Sequence, residues 1–394
     1  MTVTRLARRA LVAAGLLGVQ AAGAQAAPAV AAPPANGPFP AATYRALVAS
    51  EAVDRIAEIE LGPGGARVVR TLHVGIMLTD PDGPHGVAVS PDGEHFYVTT
   101  AHGTPYGFLW KYVTATHAFA ARTELGNFPA TAQVTADGAH IVVVNFNLHG
   151  EMEPSDVSIV RTSDMLEMAR VRTCTMPHGS RISGTKHYSA CMMDDQLVEI
   201  DVGELRVTRH FALTKGGERG MPGEPPRRGG GAAHDMSGHG MTPPAAGSMR
   251  CSPTWGQPSP DGRTIWVACN GTSDLVEIDA TSWTMRRRIP AGAGVYNLAV
   301  TSDGGRIVAT NKRGQSVSVF DAKSGKELAR IPTLRRVVHG AAITGDDRYA
   351  FITVEGIGSE PGTVEIIDLA LLKTIARVDV GQMAGGVDVI PGKR

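Results

Sequence analysis

One hairpin signature recurs along this chain, and a chain made of such copies buries its apolar faces only by packing each copy against the next. The first copy, Val87-Ala-Val-Ser-Pro-Asp-Gly93, is an apolar strand ending in a tight turn, and Tyr97-Val-Thr-Thr100 is the β-branched strand that returns. The signature comes back at 132–138, 180–185, 256–262, 298–304 and 341–347, and a further first strand, Gly386-Val-Asp-Val-Ile390, stands near the C-terminus. Two more strands follow each complete hairpin, as in 275–279 with 285–289 and 317–321 with 327–331. A four-stranded antiparallel unit of about 45 residues has the period of a propeller blade. Residues 45–50, 55–61 and 68–74 read as three strands lacking a first one, whereas 386–390 is a first strand with nothing after it. Joined, they predict an all-β, seven-bladed propeller over 43–394 whose closing blade is shared by the two ends of the chain, a ring without exposed sheet edges.

These repeats resemble the YVTN family of extracytoplasmic β-propellers, whose unit joins a Ser-Pro-Asp-Gly turn to a Tyr-Val-x-x strand, here Ser90-Pro-Asp-Gly93 and Tyr97-Val-Thr-Thr100. The resemblance covers nearly all of 43–390 and bears on fold, since the scaffold hosts many functions. It implies that each first strand lines a central channel, so that the residues just before it ring the channel mouth. At that mouth stand His85, His178 and His339, each followed by glycine, with Phe128-Pro129, Thr254-Trp255, Tyr296-Asn297 and Gly385-Gly386 at the corresponding places of other blades. The connections after the second strands reach the same face and carry His102, Asn145, Asn147, His149, Asp194, Asn270, Asn311, Lys312 and Glu355. His95, His117, His140 and His187 are expected at turns on the opposite face. With 13 histidines in the chain some reach the mouth by chance, but the repeated His-Gly placement favours a binding role: neutral imidazole is a common metal ligand, and glycine admits close backbone approach.

An insertion of Gly and Pro, 215–250, separates the third and fourth blades and contains His234-Asp-Met236-Ser-Gly-His239-Gly-Met241. Mixed imidazole and thioether donors suit copper, and a low-complexity linker is the bland alternative. As a blade-to-blade crossover the insertion is expected on the mouth face, as a lid or a metal feed. Lys312 and Glu355 are candidates for substrate clamp and general base.

Arg5, Arg8 and Arg9, the apolar run 10–24 and Ala24-Gln25-Ala26 read as a secretory signal peptide over 1–26, with a Pro/Ala-rich disordered linker over 27–42 and a periplasmic destination. No membrane span is expected in the mature chain. Outside the cytoplasm cysteines pair, and Cys174 with Cys191 and Cys251 with Cys269 bracket two hairpins at nearly equal spacing; thiolate metal ligands are the alternative. A formal net charge of zero argues against nucleic acid as a partner, and no phosphate loop, dinucleotide fingerprint or haem-attachment motif occurs.

On the propeller pattern and the positions of His85, His102, His149, His178 and His339, the chain is similar to the copper propeller enzymes: nitrous oxide reductase, thiocyanate dehydrogenase and the methanethiol oxidase family. That similarity implies a copper cofactor and an oxidoreductase acting on a small-molecule substrate, with a periplasmic electron-transfer or copper-delivery partner. There are too few histidines for the reductase's copper–sulfide cluster, and no cupredoxin domain follows. A non-catalytic copper carrier, a protein-interaction propeller and a propeller lyase or hydrolase are the rival expectations.

Overall fold

The computed structural model describes residues 39–76, 81–102, 106–148, 150–225 and 250–392. Its strands form seven antiparallel blades, five of them separate four-stranded sheets and the other two, blades three and four, joined by a parallel bridge between Gly179 and Trp255. Blade one runs from Pro84–Val89 to Phe119–Glu124, blade two from Pro129–Val134 to Leu166–Thr175, and blade three from Pro177–Ser183 to Arg206–Ala212. Blade four runs from Pro253–Pro258 to Thr284–Pro290, blade five from Val295–Val300 to Glu327–Pro332, and blade six from Val337–Ile343 to Lys373–Val380. Blade seven is built from both ends of the chain: Ala384–Ile390 pairs with Tyr44–Ser50, with Leu47 opposite Asp388.

Each seam between neighbouring blades has its own apolar cluster, which is what closes the ring. Ile59 and Val48 of blade seven pack with Phe351 and Val364 of blade six, Leu47 and Ile56 of blade seven pack with Phe96 and Val98 of blade one, and comparable clusters fill the other five seams. Every such fully buried Ile, Val or Phe contributes on the order of 1.5–3 kcal/mol.

The turn at the foot of the first hairpin is the same device in five blades. A Ser or Thr hydroxyl donates to the carboxylate two residues on, Ser90 to Asp92, Thr135 to Asp137, Ser259 to Asp261, Thr301 to Asp303 and Thr344 to Asp346, at 2.5–2.6 Å. The next residue takes a positive φ, glycine in four of these turns (Gly93, Gly138, Gly262, Gly304) and Asp347, at 60°, in the fifth.

At the other end every inner strand carries a register shift, between Pro84 and Val87, Pro129 and Ala132, Pro177 and Ser180, Pro253 and Trp255, Val295 and Leu298, and Val338 and Ala341; in blade seven the shift falls opposite Val48 and Ser50. Such bulges re-aim side chains. Aligned on them, one ring position is occupied in blade order by His85, Ala130, His178, Thr254, Tyr296, His339 and Gly385. In blade two the residue is therefore Ala130, not Phe128 as the sequence pattern had it, because Pro129 matches Pro84. Threonines latch this ring together: Thr353 Oγ1 accepts from Gly340 N at 2.8 Å and donates to the Gly385 carbonyl at 2.6 Å, and Thr99 and Thr310 do the same between their own blades.

Both expected disulfides form, Cys174–Cys191 from blade two to blade three and Cys251–Cys269 within blade four, so no cysteine remains as a thiolate ligand. Two boundaries shift. Phe39 packs against the core of blade seven and Pro40 is buried, so the fold begins inside the segment expected to be a disordered linker. Arg219–Pro222 of the expected flexible insertion is a fifth strand on blade three, antiparallel to Arg209–Ala212, and Gly220 abuts Trp283. That strand runs from the mouth end of blade three toward its turn end. The signal peptide and His234, Met236, His239 and Met241 lie outside the described residues. The described residues contain no helix long and apolar enough to cross a membrane.

Candidate functional site

Three of the seven ring positions bring imidazoles together over the channel. The ring centroids of His85 and His339 are 5.7 Å apart and those of His85 and His178 6.0 Å, each pair edge to face. Tyr296, at the same ring position of blade five, closes the set: its ring lies 4.9 Å from that of His339, and its hydroxyl is 3.0 Å from His178 Nε2. His178 Nδ1 faces the Thr254 carbonyl at 3.2 Å, so Nδ1 carries the proton and Nε2 accepts from the tyrosine.

His102 joins through a residue that sequence reasoning missed. Glu51, in the 3-10 turn Glu51–Val53 after the second strand of blade seven, is buried and bridges two histidines: Oε2 lies 2.8 Å from His85 Nδ1 and Oε1 2.6 Å from His102 Nε2. Burial alone would raise its pKa, but His85 and the hydrogen bonds from both rings hold it far below the carboxylate range. The hydrogen bond to Glu51 in turn raises His102. A carboxylate on one imidazole nitrogen is the arrangement that orients a ligating histidine and fixes its tautomer. The signal for Glu51 was its position, since it follows a second strand just as His102, Lys312 and Glu355 are found at or after theirs.

Across the mouth, Lys312 Nζ lies 3.3 Å from Glu355 Oε1 and 4.4 Å from the centre of the Tyr296 ring. Burial would lower Lys312, yet Tyr296 and Glu355 hold it above its ordinary value. Glu355 also sits 3.8 Å from His339 Nε2. Burial keeps the two deepest histidines neutral, His178 pushed down to about 3 and His339 well below its usual value, with Lys312 adding to the latter. On the side of blades one to three the wall is apolar: Phe128 meets His85 and His102 at 5.5 Å, Phe146 meets His178 at 4.7 Å, and Met176 and Met192 pack behind them.

The site is thus a shallow cup with a polar half (Tyr296, Lys312, Glu355), an apolar half (Phe128, Phe146) and the neutral imidazoles of His178 and His339 between. The channel beneath it is narrow, a cavity of about 30 Å3. A larger groove of about 500 Å3 lies on the outside of blade seven, but its charges, Arg45, Arg67 and Arg70 with Glu58 and Glu60, are paired with one another.

Of the residues expected at the mouth, His85, His102, His178, His339, Lys312 and Glu355 are brought together, and His149 lies outside the described residues. His117 sits at a turn as expected and His187 second in the strand Lys186–Cys191, just after its turn; both are buried. His117 Nε2 is 3.1 Å from Glu58, and neither nitrogen of His187 has a hydrogen-bond partner. As a metal site the cup has suitable donors, neutral imidazoles and a buried, unpartnered His339 Nδ1. Among the described residues, however, no three His, Cys, Asp or Glu side chains are grouped as a metal ion would require.

No protein-family model matches this sequence, and no curated protein matches it. Solved structures do. A functionally unknown protein from Desulfotomaculum acetoxidans aligns with a TM-score of 0.63 at 13% identity over 89% of this chain and 99% of its own. Hydrazine synthase from Kuenenia stuttgartiensis aligns with a TM-score of 0.55 at 20% identity over 76% of this chain and 82% of its own. Dihydro-heme d1 dehydrogenase NirN in complex with DHE aligns with a TM-score of 0.55 at 14% identity over 87% of this chain and 74% of its own. At these identities the likeness is one of fold.

Proposed function

We propose that this protein is an exported copper-binding propeller, an oxidoreductase that handles a small substrate in the cup over its channel. The observation that carries the reading is the convergence of three imidazoles from blades one, three and six, two of them kept neutral by burial and one with an unpartnered buried nitrogen. His85, His178 and His339, which do not stand grouped for a metal ion as they are, would have to reorient to hold one, and the metal would then supply one-electron chemistry. The chain's own residues do the rest. Glu51 fixes the tautomer of His85 and holds His102 beside it. Tyr296 gives its hydroxyl proton to His178 Nε2, and that hydrogen bond must yield before the nitrogen can act as a ligand. Lys312 supplies a positive charge to an anionic or electron-rich substrate, Glu355 accepts a proton beside it, and Phe128 and Phe146 exclude water from one side. Export through the N-terminal segment fits the two disulfides. The 215–250 segment would serve as a lid or a metal feed.

Elemental analysis tests this. Protein made with copper available retains stoichiometric copper through desalting, and the triple variant H85Q/H178Q/H339Q, folded by thermal melt, does not. Equal copper on both, or none on either, refutes the reading. A second reading, a metal-free acid–base lyase or hydrolase, is favoured by one observation: the Tyr296–His178 and Lys312–Glu355 contacts already form a hydrogen-bonded acid–base set. It predicts activity that survives chelation and fails in Y296F.

A further inference from the structure

Below the histidines the channel holds a charge that the mouth does not use. Three residues beyond the ring position the inner strands carry Ala88, Gln133, Gln257, Ala299 and Ala342 in five blades, but Arg181 in blade three and Asp388 in blade seven. Arg181 keeps part of its surface open to the channel while protein encloses it, and desolvation lowers its pKa to about 10. Its guanidinium stacks 4.4 Å over the Trp255 ring and spends one donor, Nη1, on the Ser180 carbonyl at 2.9 Å. Among the described residues no carboxylate lies within ion-pairing distance of it. Asp388 uses its oxygens on Val89 N and Val389 N, at 2.8 and 2.9 Å.

Trp255 spans the level between ring and arginine. Blade three has glycine at that level, and a Cβ on Gly179 would come within 2.2 Å of the indole. The indole, Arg181, Asn297 and His339 line the same cavity of about 30 Å3. Trp255 Nε1, Asn297 Oδ1 and His339 Nδ1 are all buried without a hydrogen-bond partner in the protein. Buried polar atoms are nearly always satisfied, so unpaired groups gathered around one space, beside a guanidinium whose opposite charge, Asp388, acts on it only from beyond ion-pairing distance, mark a ligand position. The space admits one to a few atoms.

We propose that the channel floor binds one small monovalent inorganic anion, held by the Arg181 guanidinium and the Trp255 indole N–H beneath the histidine ring. This site does not depend on copper at the mouth. The other groups facing it are His178, His339 and His187, which burial keeps neutral, Asp388 across the channel and the acceptor Asn297 Oδ1, which both oppose an anion, and Lys312 and Glu51 above.

The probe is bromide, titrated against gluconate at constant ionic strength, with thermal midpoint as readout, together with anomalous diffraction from bromide-soaked crystals of the full chain. The wild type gives a saturable rise in midpoint and one anomalous peak in the cavity touching Arg181 and Trp255. R181M weakens bromide by about tenfold or more, as expected for losing a hydrogen bond to a charged group. D388N, which keeps an acceptor for one backbone N–H, tightens it. D388N and the wild-type peak decide the matter even if R181M fails to fold. Peaks confined to the outer surface, an adventitious ion only, would overturn the proposal, as would water in the cavity at saturating bromide or an unsaturable response equal in wild type and D388N.

Discussion

The two ends of the blades differ in what repeats. At the hairpin turns five blades use one hydrogen-bonding device, Ser or Thr to Asp, with a positive-φ residue next to the carboxylate. At the channel mouth the backbone repeats, with a bulge in all seven inner strands, but the side chain presented there changes from histidine to alanine, threonine, tyrosine or glycine. The turn end is local chemistry, each device complete within about six residues. The mouth is assembled between blades, and no single blade contains a finished part of it. Scaffold and site are thus divided along the strand axis, and substitutions at the two ends should differ in kind.

The largest expected effect is on acid stability. His178 and His187 have pKa values near 3 and His339 lies well below its usual value, all because burial disfavours the charged ring. Their folded values lie beneath the unfolded value of 6.5, so the unfolded state binds protons first, and stability is greatest above pH 6.5 and declines as pH falls from 6.5 toward 3. Each histidine contributes a slope of about 1.4 kcal/mol per pH unit. Denaturant midpoints at pH 7 and pH 5 measure it. H187L should remove one share of the slope and leave the mouth intact; an unchanged slope would break the assignment.

Next comes the latch of the ring. T353V keeps the shape but strands Gly340 N and the Gly385 carbonyl, at a cost of about 1–3 kcal/mol in chemical denaturation, whereas a surface threonine such as Thr116 costs little. A turn-end change is smaller: D137A loses two local hydrogen bonds at an exposed corner, about 1 kcal/mol, and leaves copper retention unchanged. The last prediction, read by titration rather than by size of destabilisation, is E51Q. Glu51 raises His102, so their pairing stabilises fully below pH 6.5 and is lost as pH rises through the raised value. E51Q should lower the His102 titration seen by NMR and flatten stability over that interval.

The same division explains what the sequence disclosed. Ser-Pro-Asp-Gly and its variants are legible because the turn is made by the residues that spell it, and the closing blade follows from counting strands left over at the two ends. His85, His178 and His339 were legible as a repeated placement before an inner strand. Glu51 was hidden because its blade is split between the chain ends, although its place after a second strand matches that of His102. Tyr296 was visible at a ring position but could not be joined to His178, since their contact crosses from blade five to blade three. The shift in blade two came from aligning on the aromatic residue rather than on the proline before the bulge. The fifth strand of blade three was hidden because 219–222 reads as a Gly/Pro tract, and only its pairing to Arg209–Ala212 reveals it.

Copper-edge X-ray absorption of the loaded protein tests the central claim most directly. The account predicts a first shell of imidazole nitrogens, without sulfur, that is lost together with the metal in H178Q/H339Q while the fold melts normally. A sulfur-containing shell that persists in that variant would place the metal on the methionines instead and contradict the assignment of the mouth as the site.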